Sequence, residues 1–298
     1  MKRGRLYVIA TPIGNLSDMT PRAVEALRSC DLVACEDTRR TRALLTHFGV
    51  SVPTLSHHKF NEAARLREIL AHIEAGRSVG LVTDAGTPGV SDPGARLVAA
   101  AHEAGIEVEA IPGASAPAVA ISIAGFEAGG FVFAGYPPSR RMARRRFLEA
   151  LRASEQARAA ADPSAGPWPI VLFEAPHRIE ACLADLAAAF GERTVVAIRE
   201  MTKVHEEMIR GSIPEVLADL RARPRKGEFT LVVEGSVTVA KGADRGQPGD
   251  LRAAYEKMIA SGTERRDALK RLARETGLSR NEIYRVLSGR AGEPESAL

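Results

Sequence analysis

Two stretches of this chain bring together residue types at spacings that could do chemistry. In Thr83-Asp84-Ala85-Gly86-Thr87-Pro88-Gly89-Val90-Ser91-Asp92-Pro93-Gly94, three glycines let backbone approach a ligand closely and two prolines stiffen the loop at low entropic cost. Between Ser139 and Arg158, Arg140, Arg141, Arg144, Arg145, Arg146, Arg152 and Arg158 stand against only Glu149 and Glu155, a local field that suits phosphate better than a neutral metabolite. Each stretch also has a plainer reading, the first as a turn-rich connector and the second as a solvated helix face. Five arginines within seven residues weigh against the plainer reading of the second.

The glycine/proline loop follows the apolar run Val79-Gly80-Leu81-Val82 and precedes the amphipathic run from Ala95 to His102, so it leaves a buried strand and enters a helix. In open α/β sheets ligands bind there, beyond the carboxyl ends of the strands. The same alternation runs through most of the chain. Strands are predicted at Leu6 to Thr11, Asp31 to Cys35, Pro53 to Ser56 and Ile106 to Ile111. Helices are predicted from Thr20-Pro21 to Ser29, from the Glu36 to Thr41 segment to near Gly49, from Asn61 to Ala75, and from the Pro112 to Pro117 loop to near Ala124. A second α/β unit starts at Phe131 to Gly135. It continues through Ile170 to Phe173, a helix over Pro176 to Phe190, Thr194 to Ile198, a helix over Pro214 to Arg223, and Phe229 to Gly235. This order predicts an α/β protein, with mostly parallel sheet covered by helices on both faces.

Breaks near Pro112 to Pro117 and Val239 to Gly249 divide the chain into 1–114, 115–238 and a tail, 239–298. In the tail, Leu251 to Ala260, Glu264 to Glu275 and Arg280 to Leu287 read as three short helices. The last two are joined by Thr276-Gly277-Leu278-Ser279 in helix-turn-helix outline. That outline suits either contact with nucleic acid or packing on a partner subunit.

Composition narrows the class. With 298 residues, 45% hydrophobic and 26% charged, the chain is that of an ordinary soluble protein long enough for about two domains. Cys30, Cys35 and Cys182 form no CxxC pair and leave one over, which argues against a disulfide framework and a thiolate metal site and for a reducing cytoplasm. No ligand cluster calls for a metal. The apolar run Leu6 to Ala10 is too short for a signal sequence, and no window approaches a membrane span. The net charge of +4 is too small to identify a partner by itself.

Several enzyme classes lack their main residues here. There is no GxxxxGK[ST], no HExxH, no GxSxG, and no GxGxxG after the first strand. Five loops, in order, carry a different signal: Thr11-Pro12-Ile13-Gly14-Asn15-Leu16, the loop from Thr83 to Gly94, Pro112-Gly113-Ala114-Ser115-Ala116, Phe173-Glu174-Ala175-Pro176-His177-Arg178, and Gly227-Glu228-Phe229-Thr230 running on to Gly235. Together they resemble the tetrapyrrole methylase superfamily, from about Leu6 to Gly235. Glu36-Asp37-Thr38-Arg39 and Ser56-His57-His58-Lys59-Phe60-Asn61-Glu62 resemble its ribosomal RNA-modifying branch rather than its corrin-making relatives.

The resemblance implies a homodimeric, cytoplasmic enzyme with S-adenosylmethionine in a cleft between two α/β domains, plus a C-terminal helical extension. It would methylate the ribose 2′-oxygen of a cytidine in the decoding region of 16S rRNA within the small ribosomal subunit. The family's cofactor contacts map onto Pro12, Ala85, Gly86, Thr87, Val90, Ser115, Ala116 and Glu174. Where tetrapyrrole-modifying members carry Gly-Asp-Pro, this chain has Gly86-Thr87-Pro88, which weakens a tetrapyrrole acceptor and leaves the cofactor reading intact.

Methyl transfer to a weakly acidic hydroxyl benefits from a positioned base. His177, expected at a helix opening where the dipole keeps imidazole neutral, leads the candidates, followed by Glu174, Asp84 and Glu36. Asp84 or Glu174 would also offer negative potential to the sulfonium. Their plainer roles are capping the loop for Asp84 and helix-dipole stabilisation for Glu174. Arg178 is expected to grip phosphate, with Arg39, Arg40, Arg144, Arg145 and Arg146 extending an RNA track. Two other readings stay open: methylation of a tetrapyrrole or modified protein side chain on the same fold, and a non-catalytic RNA-binding protein.

Overall fold

The computed structural model describes residues 4–162, 166–222, 226–236, 248–261, 263–276, 283 and 287. The chain divides into two compact units, Met1–Val237 and Thr238–Leu298. In the first unit, strands β1 (Arg5–Ile9), β2 (Leu32–Cys35), β3 (Thr54–Ser56), β4 (Val79–Leu81) and β5 (Glu107–Ile111) form one sheet in the order β3-β2-β4-β1-β5. Every pairing in it is parallel.

Strand periodicity decides which helices cover which face. Along β1, Tyr7 and Ile9 join a core with Ala23, Val24, Ala26 and Leu27 of α1 (Pro21–Ser29) and Leu45 of α2 (Thr38–His47). The alternate residues, Leu6 and Val8, join a second core with Ile69 and Ile73 of α3 (Glu62–Glu74) and Leu97 and Ala101 of α4 (Ala95–Glu103). Each fully buried Leu or Ile contributes roughly 1.5–3 kcal/mol. The helix starts are written locally: Thr20 Oγ1 accepts the Ala23 N–H at 3.1 Å ahead of Pro21, and Asp37 Oδ1 accepts the Arg39 N–H at 2.8 Å.

After β5 the chain crosses to a second sheet. Helix α5 (Ala116–Ala124) packs on one face of β6 (Val132–Gly135), β7 (Ile170–Glu174), β8 (Thr194–Arg199), β9 (Glu207–Ser212) and β10 (Phe229–Val233). The other face is covered by α6 (Arg141–Ala161), α7 (Ile179–Phe190) and α8 (Ile213–Arg221), through Leu148, Leu183, Leu186, Val216 and Leu220.

The prediction of mostly parallel sheet fails here. Only β6 and β7 run parallel; in the order β6-β7-β10-β8-β9 every other pairing is antiparallel. The cause is β9, absent from the sequence reading, which pairs with β8 as a hairpin so that α8 delivers β10 between β7 and β8 in the opposite sense. Its sequence, Glu-Met-Ile-Arg-Gly-Ser, lacks the apolar run of a buried strand because it is an edge.

In the second unit, α9 (Pro248–Ala260) and α10 (Arg265–Thr276) share a small core in which Leu272 and Ile283 are buried against Tyr255, Met258, Leu269 and Leu287. The expected third helix, Arg280 to Leu287, the turn before it and the Val239 to Gly249 stretch lie largely outside the described residues, as does Arg223 at the expected end of α8. Among the described residues no helix is long and apolar enough to cross a membrane.

Candidate active site

Strands β1 and β4 are neighbours, yet α1 after β1 and α4 after β4 pack on opposite faces of the sheet. The loops leaving them therefore diverge and open a crevice at the carboxyl edge. Hydrogen bonds stitch the crevice loops together. Thr11 and Gly86 form an isolated antiparallel bridge, with N–H to O distances of 2.9 and 3.1 Å. Thr11 Oγ1 donates to Thr83 O at 3.0 Å, and Thr87 Oγ1 to Ala114 O at 3.2 Å. Gly86 sits at φ +84°, and a Cβ there would lie 3.3 Å from Ile13 Cγ2, so this position needs glycine.

Two adjoining cavities of about 280 and 600 Å³ occupy the crevice and share Ile13, Arg40, Asp84, Ala85, Lys203 and Glu228. The smaller runs from Ala85, Gly86, Thr87 and Val90 to Ser115 and Ala116. It is closed on the second-sheet side by Tyr136, Phe173, Phe229 and Thr230. Ser115, the N-cap of α5, makes no side-chain cap, and with Ala116 and Pro117 it brings the start of that helix to the cavity wall. The larger cavity is lined by Pro12, Gly14, Leu16 and the α2 residues Arg40, Thr41, Ala43, Leu44 and His47.

Five carboxyl groups line the smaller cavity: Glu36, Asp84 and Asp92 from the first-sheet side, and Glu200 and Glu228 from the second-sheet side. Asp84 is held: Oδ1 accepts the Asp37 N–H at 3.1 Å and Oδ2 lies 3.3 Å from Arg40 Nη1. Burial raises the Glu36 carboxyl above its ordinary value, and Asp84 adds to the effect. Asp92 is pushed up to about 6, first by burial and then by Glu36, Asp84 and Glu228, while Thr83 pulls it down. The preceding residue, Ser91, has φ +67°, a strained backbone for a residue with a side chain, between glycines 89 and 94 that are also at positive φ. Glu200, Lys203 and Glu228 come from the second sheet. Glu200 Oε1 accepts from Lys203 Nζ and from the Glu228 N–H, both at 2.9 Å, and its carboxylate fills the space that a Cβ on Gly227 would need.

These groups fit S-adenosylmethionine. Carboxylates and the aromatic faces of Tyr136 and Phe173 suit a sulfonium cation, and exposed backbone of Gly, Ala and Ser suits an adenine edge and ribose. Pro12, Ala85, Gly86, Thr87, Val90, Ser115, Ala116, Asp84, Arg40 and Glu36 are all brought to the crevice.

Other expected residues are elsewhere. Glu174 is buried, lines neither cavity, and is spent within the fold: Oε1 lies 3.0 Å from Arg178 Nε and accepts the Ala175 N–H at 2.9 Å. Arg178 also donates to Glu174 Oε2 and to the Pro137 carbonyl, so its guanidinium is tied inward rather than presented to phosphate. His177 stands exposed in the turn before α7, which begins two residues later at Ile179, and lines neither cavity. Arg39 is turned onto Asp37 at 2.8 Å.

The arginine segment also divides. Arg140, Arg141, Arg145 and Arg146 are exposed, but Arg144 is 4% exposed and pairs with Asp185 at 2.7 Å. Its place on the buried stripe of α6 with Leu148, Glu155 and Ala159, at helical spacing, explains this and was readable in the sequence. Asp92, Tyr136, Glu200, Lys203 and Glu228 were not assigned roles from sequence. Asp92 and Glu228 lie inside quoted motifs, whereas Tyr136, Glu200 and Lys203 reach the crevice only through tertiary structure.

A family model described as tetrapyrrole (corrin/porphyrin) methylases matches residues 5–217. The chain is 42% identical over 284 residues to ribosomal RNA small subunit methyltransferase I of Synechocystis sp., covering 95% of this chain and 97% of that protein. It is 40% identical over 232 residues to the protein of that name from Thermotoga maritima, covering 78% and 99%. Among solved structures, cobalt precorrin-4 methyltransferase superposes with TM-score 0.55 at 17% identity, covering 78% of this chain and 95% of that one. Uroporphyrin-III C-methyltransferase from Thermus thermophilus, complexed with S-adenosyl homocysteine, superposes with TM-score 0.52 at 18% identity, covering 78% and 98%. At these identities the structural likeness speaks for the fold alone.

Proposed function

The chain belongs to the tetrapyrrole (corrin/porphyrin) methylase family and is a methyltransferase, and from that premise we propose that it moves a methyl group from S-adenosylmethionine to the ribose 2′-hydroxyl of a cytidine in the decoding region of 16S rRNA. The observation that carries the acceptor class is the match, along nearly the whole chain, to a relative named ribosomal RNA small subunit methyltransferase I. The cytidine and its 2′-oxygen rest on the motif resemblance.

When bound, S-adenosylmethionine supplies an electrophilic methyl group on a sulfonium. Pro12, Ala85, Gly86, Thr87, Val90, Ser115 and Ala116 are the residues assigned to hold it, with Asp84 giving negative potential toward the cation. The chain's own work is alignment of the ribose oxygen and exclusion of water, since displacement at carbon needs an in-line approach at near-attack distance. Arg40 and the exposed Arg140, Arg141, Arg145 and Arg146 supply the positive field for the RNA backbone. We assign the chain three parts, 1–114, 115–238 and 239–298, in keeping with its two separate sheets. It acts in the cytoplasm as a homodimer on small ribosomal subunits.

The test is transfer of labelled methyl to small subunits assembled without this modification, followed by digestion to nucleosides and mapping. Label in a single 2′-O-methylcytidine is expected. Cofactor binding without transfer to RNA would overturn the acceptor and leave the fold and cofactor assignments standing.

A further inference from the structure

We infer that Asp92, on the wall of the smaller cavity among Glu36, Asp84 and Glu228, is the group that takes the proton from the ribose hydroxyl as the methyl group is transferred. The inference rests on the functional reading above and adds a catalytic residue to it.

The crevice itself separates the three carboxyl groups of its first-sheet side, Glu36, Asp84 and Asp92. Asp84 is committed to Arg40 and to the Asp37 N–H. Glu36 is raised by burial and by Asp84, but Thr83, His58 and Arg40 all pull it back toward its charged form. The charged groups acting most strongly on Asp92 are all anions, Glu36, Asp84 and Glu228, with the Thr83 hydroxyl and the Tyr136 phenol as its polar neighbours. Asp92 therefore holds a proton more firmly than an ordinary carboxylate, yet with its value raised to about 6 it is ionised and able to accept one at neutral pH. The backbone is shaped to bring it there: Ser91 is strained at φ +67°, Gly94 lies at φ +133°, and Pro93 stiffens the turn between them.

The step balances. The O–H bond of the ribose breaks and its proton goes to an Asp92 carboxylate oxygen, while a lone pair on the ribose oxygen forms the new O–C bond. The C–S bond breaks with its electron pair left on sulfur, which becomes a neutral thioether. One anion and one cation thus become two neutral groups, a change that a partly desolvated cavity favours. Val90 and Ser91 beside Asp92 are exposed, so the proton has a short path to water afterwards.

Single-turnover methyl transfer to unmodified small subunits, at saturating S-adenosylmethionine and across about pH 5 to pH 9, tests this. The wild type is expected to show an acid limb near pH 6 and a plateau above it. Asp92→Asn is expected to lose about 10²–10⁴-fold at the plateau and to lose the acid limb, with unchanged affinity for S-adenosylhomocysteine. Glu36→Gln is expected to move the acid limb to lower pH, because it removes an anion that raises Asp92, and this shift decides the matter independently should Asp92→Asn fold poorly. Transfer by Asp92→Asn at the wild-type rate, or an acid limb that survives it or stays in place in Glu36→Gln, would overturn the inference alone. No methylation of RNA by the wild type would overturn the functional reading and the inference with it.

Discussion

The two sheets of the first unit handle their carboxyl groups in opposite ways. Around the second sheet, Glu155, Glu174 and Asp185 each face an arginine, at 2.7 Å from Arg193, 3.0 Å from Arg178 and 2.7 Å from Arg144, and none of them lines either cavity. Around the first sheet, Glu36, Asp84 and Asp92 crowd one cavity wall, where among the described residues only Arg40 is in ion-pair range of them, and it faces Asp84. An acid buried beside an arginine holds the fold together, because breaking the pair strands a charge. Acids left to repel one another beside open space cost stability, and such arrangements cluster where chemistry is done.

The contrast can be broken most forcefully at Asp185. Replacing it with Ala strands the Arg144 guanidinium, and denaturant unfolding should report a loss of about 3–5 kcal/mol with RNA affinity of the folded fraction unchanged. A smaller loss would mean that the second-sheet pairs are not structural. Gly86→Ala should strain the first-sheet loop by roughly 1–2 kcal/mol and weaken S-adenosylhomocysteine binding about tenfold by calorimetry, since a side chain at φ +84° disturbs the Thr11 bridge.

Titration sharpens the comparison further. The folded value of Asp92 lies near 6, above its unfolded 3.8, so the folded state binds its proton more tightly. Stability contributed by this group is fully present below about pH 4 and is lost as pH rises through 6, by at most about 1 kcal/mol after screening of a partly exposed side chain. Asp92→Asn should flatten that slope in thermal melts and melt no lower than wild type at neutral pH. On the surface of α6, Arg145→Glu combined with Arg146→Glu should reduce the salt dependence of RNA binding by about two in log–log slope. An unchanged slope would remove that helix from the RNA track. His177→Ala, exposed and outside both cavities, should leave turnover within about twofold.

Much of this was legible in the residues. The loop from Thr83 to Gly94 announces its ligand role through glycines at 86, 89 and 94, all at positive φ, and strand alternation in β1 assigns both faces of the first sheet. What stayed hidden depends on neighbours far along the chain. A sequence cannot tell that Tyr136 and Glu228 will enter the crevice, whereas the Glu174–Arg178 pair spans only four positions. The second sheet was misread because β9 is a polar edge strand, and its hairpin with β8 reverses the sense in which β10 enters. Asp92 sat in plain view within the key loop, but its value is raised by burial and then by Glu36, Asp84 and Glu228, and Glu36 and Glu228 lie 56 and 136 positions away in the chain.

The most direct test is the single-turnover methyl-transfer rate of Asp92→Asn and Glu174→Gln, measured side by side on the folded fraction of each at saturating cofactor. A loss of about 10²-fold or more in Asp92→Asn is expected, with near-wild-type transfer by Glu174→Gln despite its lower melting temperature. The reverse pattern, a slow but fully stable Glu174→Gln beside an active Asp92→Asn, would contradict the division between fold-building and reacting carboxyl groups.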